Sequence, residues 1–249
     1  MAGHSKWHNI RIRKGKQDAV KGKAFTKVSR EILMAARSGS SDPEANFRLK
    51  MAIAKAREVN MPMSNVERII EKATGGGDSS MEELIYEGYG PAGVALIVEV
   101  TTDNRNRTAA DMRVIFSKNG GNLGETGCVG WMFDKRGVIT VHRGKLEEEQ
   151  VLEIAMEGGA LDMVAEDERF EILTEPTDLH QVKEALEKAG LKVESAGFSM
   201  VPRNGVEVSR EDAPAVLKLV DLLEDQDDVQ QVYANFLIPD EVLEELASA

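Results

Sequence analysis

The stretch LDMVAEDERFEILT, residues 161–174, holds two short runs of strand-forming residues that follow one another directly. A helical pattern of apolar residues lies on each side of this pair, and a further strand pattern lies beyond each helix. The two helices and the two outer strands are predicted at residues 146–157, 178–189, 137–142 and 193–202. The order over residues 137–202 is β-α-β-β-α-β, which is that of a complete ferredoxin-like domain.

A second group of elements flanks this domain in the sequence. The segment VALIVEV, residues 94–100, is apolar at nearly every position and predicts a buried strand. The other predicted elements are a helix at 107–118, a strand at 128–133, a turn at 134–137, a helix at 209–224 and a strand at 229–238. Together they predict a discontinuous α/β domain of residues 81–136 and 203–249, with residues 137–202 inserted in it.

The first 76 residues carry helical patterns only. Apolar residues recur at helical spacing from Ala24, and Gly39 is placed to end that helix. Asp42-Pro43 is typical of a second helix start, and Ser64–Glu67 is typical of a capping box that opens a third. Residues 1–76 are therefore predicted to be a basic arm plus a helical domain. The expected fold class is α+β with three domains, a three-helix domain followed by two ferredoxin-like α/β domains, one inserted in the other.

Charge is distributed very unevenly along the chain. The net charge is −12, yet residues 1–30 contain nine Lys or Arg residues against the single acid Asp18, a net of +8. Residues 1–76 carry 16 basic and 7 acidic residues, so the rest of the chain holds 15 of the 31 basic and 36 of the 43 acidic residues. Such asymmetry indicates that the two parts have different partners. Glycines between the cations, as in Lys14–Lys16, predict a mobile arm over residues 1–23.

The arm is the strongest candidate binding segment. Flexible Lys and Arg side chains can follow a phosphate backbone and release its counterions, and Trp7 can stack on an unpaired base. A solvated basic tail or a targeting sequence is the weaker alternative, because this stretch is rich in Lys and Gly and leads into a helix. The nucleic-acid-binding residues predicted in the N-terminal region are Lys6, Trp7, His8, Arg11, Arg13, Lys14, Lys16, Lys21, Lys23 and Lys27.

The segment 102–108 is a second candidate, because it exposes Arg105 and Arg107 beside two amide side chains after the apolar strand. Asp103 or Asn104 could simply cap the following helix. A contact with RNA or protein is the alternative, since loops at strand ends often carry function. The residues leave both interpretations open.

Several classes of site are not indicated. Gly88–Gly93 matches G-x-G-x-x-G, but Pro91 interrupts it and a strand follows, so a loop is the better interpretation than a dinucleotide site. The single cysteine, Cys128, excludes a multi-cysteine metal cluster, and the acidic runs are expected to be solvated helix faces or termini. We expect no catalysis, no cofactor, no metal and no small-molecule substrate. No apolar run reaches about 20 residues and no secretory signal stands out, so we expect a cytoplasmic protein without a membrane partner.

Long stretches of the chain closely resemble the YebC family, which includes probable transcriptional regulators and the mitochondrial translational activator of cytochrome c oxidase. The matching stretches are MAGHSKWHNIRIRKGKQDAVKGKAFTKVSREI, AIAKAREVNMPMSNVERIIEKATG, YEGYGPAGVALIVEVTTDNRNRT and GGNLGETGCVGWMFDKRGVI. The resemblance implies a helical N-terminal domain and two α/β domains, one inserted in the other. It also implies a cytoplasmic, non-enzymatic protein linked to DNA at promoters or to translation on the ribosome.

Two functions therefore stay open. A DNA-binding transcriptional regulator fits the helical domain and its arm, although no helix with an obvious set of base-reading side chains stands out. An RNA- or ribosome-binding translation factor fits a glycine-rich basic arm with an aromatic residue. The expected partner is nucleic acid, either DNA or ribosomal RNA.

Overall fold

The computed structural model describes residues 17–75, 81–166 and 168–248. Residues 133–203 form one compact unit, and the described residues before and after them form a second. In chain order, the elements before the first unit are α1 Gln17–Ser38, α2 Phe47–Glu58, α3 Met63–Thr74, β1 Glu82–Tyr89, β2 Ala95–Thr102, α4 Arg105–Lys118 and β3 Asn122–Leu123. Those of the first unit are β4 Phe133–His142, α5 Glu148–Gly158, β5 Ala160–Ala165, β6 Arg169–Thr174, α6 Leu179–Lys188 and β7 Val193–Pro202. The last elements are β8 Val206–Glu207, α7 Ala213–Glu224, β9 Val229–Ala234, β10 Phe236–Leu237 and α8 Asp240–Ser248.

The helical domain packs α2 and α3 against the long helix α1. Its core is small and apolar, and includes the buried side chains of Val28, Ile32, Leu49, Ala52 and Val66. These residues lie at three- to four-residue spacing along their helices, so each helix has one apolar face, which it buries against the others.

Three details of this domain differ from the sequence prediction. Helix α1 begins at Gln17, so residues 17–23, predicted as part of a mobile arm, are helical. Helix α2 begins at Phe47, because Asn46 is the cap: its Oδ1 accepts from the Leu49 N–H at 3.1 Å. The Nδ2 of Asn46 also donates to the carbonyls of Ala35 and Ser40, which ties the end of α1 to the start of α2. Helix α3 begins directly after Pro62 without a side-chain cap, so the predicted capping box is not formed.

The inserted unit is a ferredoxin-like domain. Its sheet has the strand order β5-β6-β4-β7, all neighbours are antiparallel, and α5 and α6 pack side by side. The predicted strand 128–133 and turn 134–137 are both wrong, because Gly130–Met132 is a short 3₁₀ turn and β4 runs without a break through residues 134–137. The α+β fold class with an inserted α/β domain is confirmed, whereas the domain boundaries given above stay a prediction.

The discontinuous α/β domain has a four-stranded sheet of order β3-β1-β2-β9, also with antiparallel neighbours. Helices α4 and α7 lie together and contribute to one apolar core, in which Met112, Phe116 and Val220 are buried. The apolar strand β2 lies between β1 and β9, as its composition predicted. The predicted strand 229–238 ends at Ala234, because β10 leaves this sheet and pairs with β8 in a small parallel one.

Candidate nucleic-acid interface

Most of the predicted arm precedes the part of the chain that the structure describes. The predicted residues Lys6, Trp7, His8, Arg11, Arg13, Lys14 and Lys16 lie outside the described residues. Lys21 is within α1, in the turn before Lys23 and Lys27. The interface can therefore be described from α1 onward.

Lys23, Lys27 and Arg30 lie at intervals of four and three residues, which places them on one face of α1. This face meets the acidic segment Glu224–Asp228 at the end of α7. The ammonium Nζ of Lys23 lies 3.5 Å from Asp225 Oδ1 and donates to the Asp225 carbonyl at 3.2 Å. Lys23, which was predicted to contact nucleic acid, is thus already engaged within the chain.

Lys27 and Arg30 continue this contact toward the interior. Lys27 Nζ donates to the Glu224 carbonyl at 2.8 Å, and Arg30 donates to the Asp227 carbonyl. Because the carbonyls at the C-terminus of a helix carry partial negative charge, cations are favourable there beyond their pairing with carboxylates. Lys23 and Lys27 therefore cap α7, and all three cations dock α1 on the α/β domain.

Asp228 forms the inner end of this contact. Its carboxylate is 3.0 Å from Nη2 of Arg30 and 3.0 Å from Nη2 of Arg107, and Thr108 Oγ1 donates to it at 2.7 Å. The Thr102 hydroxyl lies 3.2 Å from the same carboxylate. Burial alone would raise the pKa of Asp228, but the hydrogen bonds from Thr108 and Arg107 and the charge of Arg30 hold it below its ordinary value.

The loop before α4 is a helix cap. Asn104 Oδ1 accepts from the Arg107 N–H at 3.1 Å, and the guanidinium of Arg107 also pairs with Asp103 at 2.8 Å. The capping interpretation of this segment is confirmed. Arg105, at the first helical position, has an exposed side chain. A contact of Arg105 or Arg107 with nucleic acid stays a prediction.

The structure thus brings two candidate regions together that are distant in sequence. Arg107 and Arg30 of α1 meet at one carboxylate, Asp228, which the sequence did not single out. The acidic run 224–228 was expected to be solvated, but Asp228 is buried, because two arginines and two threonine hydroxyls satisfy it. The only sequence signal for this arrangement was the helical spacing of Lys23, Lys27 and Arg30.

A second preorganised feature is the loop of residues 124–132. The buried carboxylate of Glu87 accepts from the backbone N–H groups of Gly127, Val129 and Gly130 at 2.8, 2.8 and 2.6 Å. Burial opposes ionisation of Glu87, yet these three bonds keep its pKa below the ordinary value. The loop holds Trp131 with 64% of its surface exposed.

The described ranges contain neither a membrane-spanning helix nor a candidate metal site. No described helix is long and apolar enough to span a bilayer. The described His, Cys, Asp and Glu residues form no group of three that could hold a metal ion.

Two family models match this chain. The N-terminal domain of TACO1/YebC proteins matches residues 5–76, and the second and third domains of the same proteins match residues 81–236. The chain belongs to the TACO1/YebC family. Both parts that bear the α1 contact with Glu224–Asp228 lie within these matches.

Relatives in this family align over the whole chain. A probable transcriptional regulatory protein of Sulfurihydrogenibium sp. is 54% identical over 249 residues, which covers 99% of each chain. One of Persephonella marina is 53% identical over 250 residues and covers 99% of this chain and all of its own. The crystal structure of a conserved hypothetical protein from Aquifex aeolicus is similar with a TM-score of 0.85 and 48% identity, over 92% of this chain and 95% of the other.

Proposed function

We propose that this TACO1/YebC protein regulates gene expression in the cytoplasm by binding nucleic acid through its basic N-terminal segment, without catalysing a reaction. The observation that carries the proposal is the net charge of +8 on residues 1–30 in a chain whose net charge is −12. A polyanion is attracted to the first part and repelled by the rest, so binding is led from one end of the chain. The regulatory names of the relatives support the role in gene expression.

The proposed contacts are chiefly with phosphates. The Lys and Arg residues from Lys6 to Lys27 neutralise backbone charge and release counterions, which is favourable and depends steeply on salt. Trp7 adds a stacking surface for an unpaired base. Arg105, exposed at the start of α4, supplies a further cation, and neither a membrane nor a small-molecule substrate is involved.

A DNA duplex at promoters is the first candidate target, because the relatives are named probable transcriptional regulatory proteins. RNA, including that of the ribosome, is the second candidate. The balanced charge of α3 favours it over a DNA groove. In α3, Arg68 and Lys72 alternate with Glu67 and Glu71, so this helix has no excess of positive charge to direct it into a DNA groove. Backbone contact and base stacking by the arm are the mode typical of RNA segments.

The arm is tested with two variants that remove the same charge. In the first, Arg11, Arg13 and Lys14 are changed to Gln; in the control, the exposed Arg113, Lys118 and Lys145 are changed to Gln. We expect the arm variant alone to bind RNA and DNA more weakly. The slope of log affinity against log salt should also fall, by about 0.7 to 0.9 for each lost phosphate contact. Equal binding by the two variants would refute the proposal.

The target is identified by crosslinking in cells. Nucleic acid bound to the wild-type protein and to the arm variant is recovered and sequenced. Promoter DNA that depends on the arm would establish the transcriptional role, whereas arm-dependent ribosomal RNA would establish the translational one. Recovery of neither above the level of the arm variant would contradict both.

A further inference from the structure

The cations of α1 are held in two layers that differ in exposure. In the outer pair, the side chains of Lys23 and Asp225 are 45% and 49% exposed. In the inner pair, those of Arg30 and Asp228 are 18% and 12% exposed. Lys27 lies between them, half-buried, with its ammonium on the Glu224 carbonyl.

Exposure decides how easily each pair is exchanged. An exposed ion pair contributes little, because water and salt screen it and both side chains lose freedom in forming it. A buried pair that loses one partner leaves a charge without compensation, so it resists separation. An incoming polyanion can therefore take Lys23, and with it Lys27, while Arg30 stays on Asp228.

The acidic segment offers these lysines negatively polarised oxygen acceptors, as a phosphate backbone would. Lys23 and Lys27 lie in the early turns of α1, directly after the basic arm. Oxygen atoms of Glu224 and Asp225 contact their ammonium groups there. A nucleic acid that runs along the arm and onto α1 competes with them, because its phosphates and these oxygens attract the same two ammonium groups and the Asp225 carboxylate repels a phosphate placed beside it.

We propose that residues 224–225 are an internal competitor of nucleic acid: they occupy Lys23 and Lys27 in the free protein and yield them when a polyanion binds the arm, while Arg30 and Asp228 keep α1 docked. This inference rests on the proposed function. The competitor lowers affinity for short or weakly charged nucleic acids. It thereby favours targets long enough to cover both the arm and α1.

A zero-length carbodiimide, which joins an amine to a carboxylate in contact with it, reports on the outer pair in the wild-type chain. The amide between Lys23 and Asp225 is quantified by mass spectrometry. The internal control is the amide between Lys55 and Glu31, whose side chains lie 2.7 Å apart within the helical domain. Both amide products are quantified in the free protein, in the presence of single-stranded RNA and in the presence of a DNA duplex. Binding of each nucleic acid is measured separately by mobility shift.

We expect the Lys23–Asp225 product to decrease severalfold at saturating probe while the Lys55–Glu31 product is unchanged. Binding with an undiminished Lys23–Asp225 product would overturn the competition and leave the proposed function standing. If neither probe binds, the proposed function fails, and the competition fails with it.

A second measurement separates competition from simple shielding of Lys23 by the probe. Asp225→Asn weakens the competitor, and Glu241→Gln removes one charge from an exposed position of α8 in the same unit. Competition requires Asp225→Asn to bind nucleic acid more tightly than Glu241→Gln does. Its affinity should also fall more steeply with salt, because one more cation is available to contact phosphate. Equal affinity of the two variants would overturn it.

Discussion

At the scale of single residues, a glycine that the sequence predicted to lie in a turn lies inside a strand in the structure. Gly137 was interpreted as a turn residue, but it lies within β4 opposite Thr174. A Cβ atom at Gly137 would lie 2.2 Å from Thr174 Oγ1 and 3.0 Å from Leu179 Cβ. Glycine in a strand can mark a close approach rather than a break, and here it lets α6 pack directly on the sheet.

This packing predicts a sharp contrast between two glycines of neighbouring strands. Gly137→Ala should lower the free energy of unfolding by about 2–3 kcal/mol, because the added methyl group cannot be placed without moving Thr174 and Leu179. Gly197→Ala, in β7, should change it by less than about 0.5 kcal/mol, since no atom beyond the adjacent residues lies within 4 Å of the position that the new methyl group would take. Urea unfolding of both variants measures the difference, and equal losses would contradict this account of β4.

At the scale of elements, sequence periodicity correctly located the helices and strands whose apolar residues all pack into a single hydrophobic core. The strand 169–174 and the strand 193–202 agree with β6 and β7, and the apolar run 94–100 lies in β2 from residue 95 onward. Strand β1, EELIYEGY, was missed because acids and a glycine dominate it. Gly88 is required there, as a Cβ would lie 2.6 Å from the Asn122 carbonyl oxygen.

The segment 128–133 shows why local pattern alone was insufficient. Its apolar and aromatic residues are typical of a strand, yet Gly130–Met132 forms a 3₁₀ turn. The N–H groups of Val129 and Gly130, which a strand would use in a sheet, are taken by Glu87 instead. A carboxylate some 40 positions earlier thus decides the conformation, and no local propensity reports that.

The loop therefore depends on one acid, which can be tested. Glu87→Gln replaces an acceptor oxygen by an NH₂ group that faces backbone donors. It should cost about 2 kcal/mol and loosen residues 124–132. In a Trp7→Phe background, the fluorescence anisotropy of Trp131 should fall. Glu125→Gln, at an exposed position of the same loop, is the matched control and should leave the anisotropy unchanged. A rigid Trp131 in Glu87→Gln would show that other contacts hold the loop.

At the scale of the whole molecule, the charge asymmetry was visible in the sequence, but its internal use was not. Lys23 and Lys27 were predicted only as separate contacts to nucleic acid, whereas in the structure they share one basic face of α1. Its partner follows 197 positions after Lys27, at Glu224, and such a contact depends on the tertiary fold alone. The same holds for Asp228, whose run of acidic neighbours is typical of a solvated terminus.

Asp228 should therefore matter for stability far more than its neighbour. Asp228→Asn leaves Arg30 and Arg107 without their shared carboxylate and should lower the free energy of unfolding by about 3 kcal/mol. Asp227→Asn is the control, because its side chain is exposed and its contact with Arg30 is through the carbonyl. Urea unfolding at neutral pH should separate the two variants clearly.

The pH dependence of stability tests the role of the Asp228 charge independently. The pKa of Asp228 is lower in the folded chain than its ordinary value of 3.8, so the carboxylate stabilises the fold fully at neutral pH. That contribution is lost as the pH falls through the folded pKa, because protonation then removes the charge that both arginines need. The difference in stability between wild type and Asp228→Asn should accordingly shrink in acid, while that between wild type and Asp227→Asn should not follow this course. A gap that stays constant with pH would mean that Asp228 acts through shape alone, and that its charge does not hold α1 to the α/β domain.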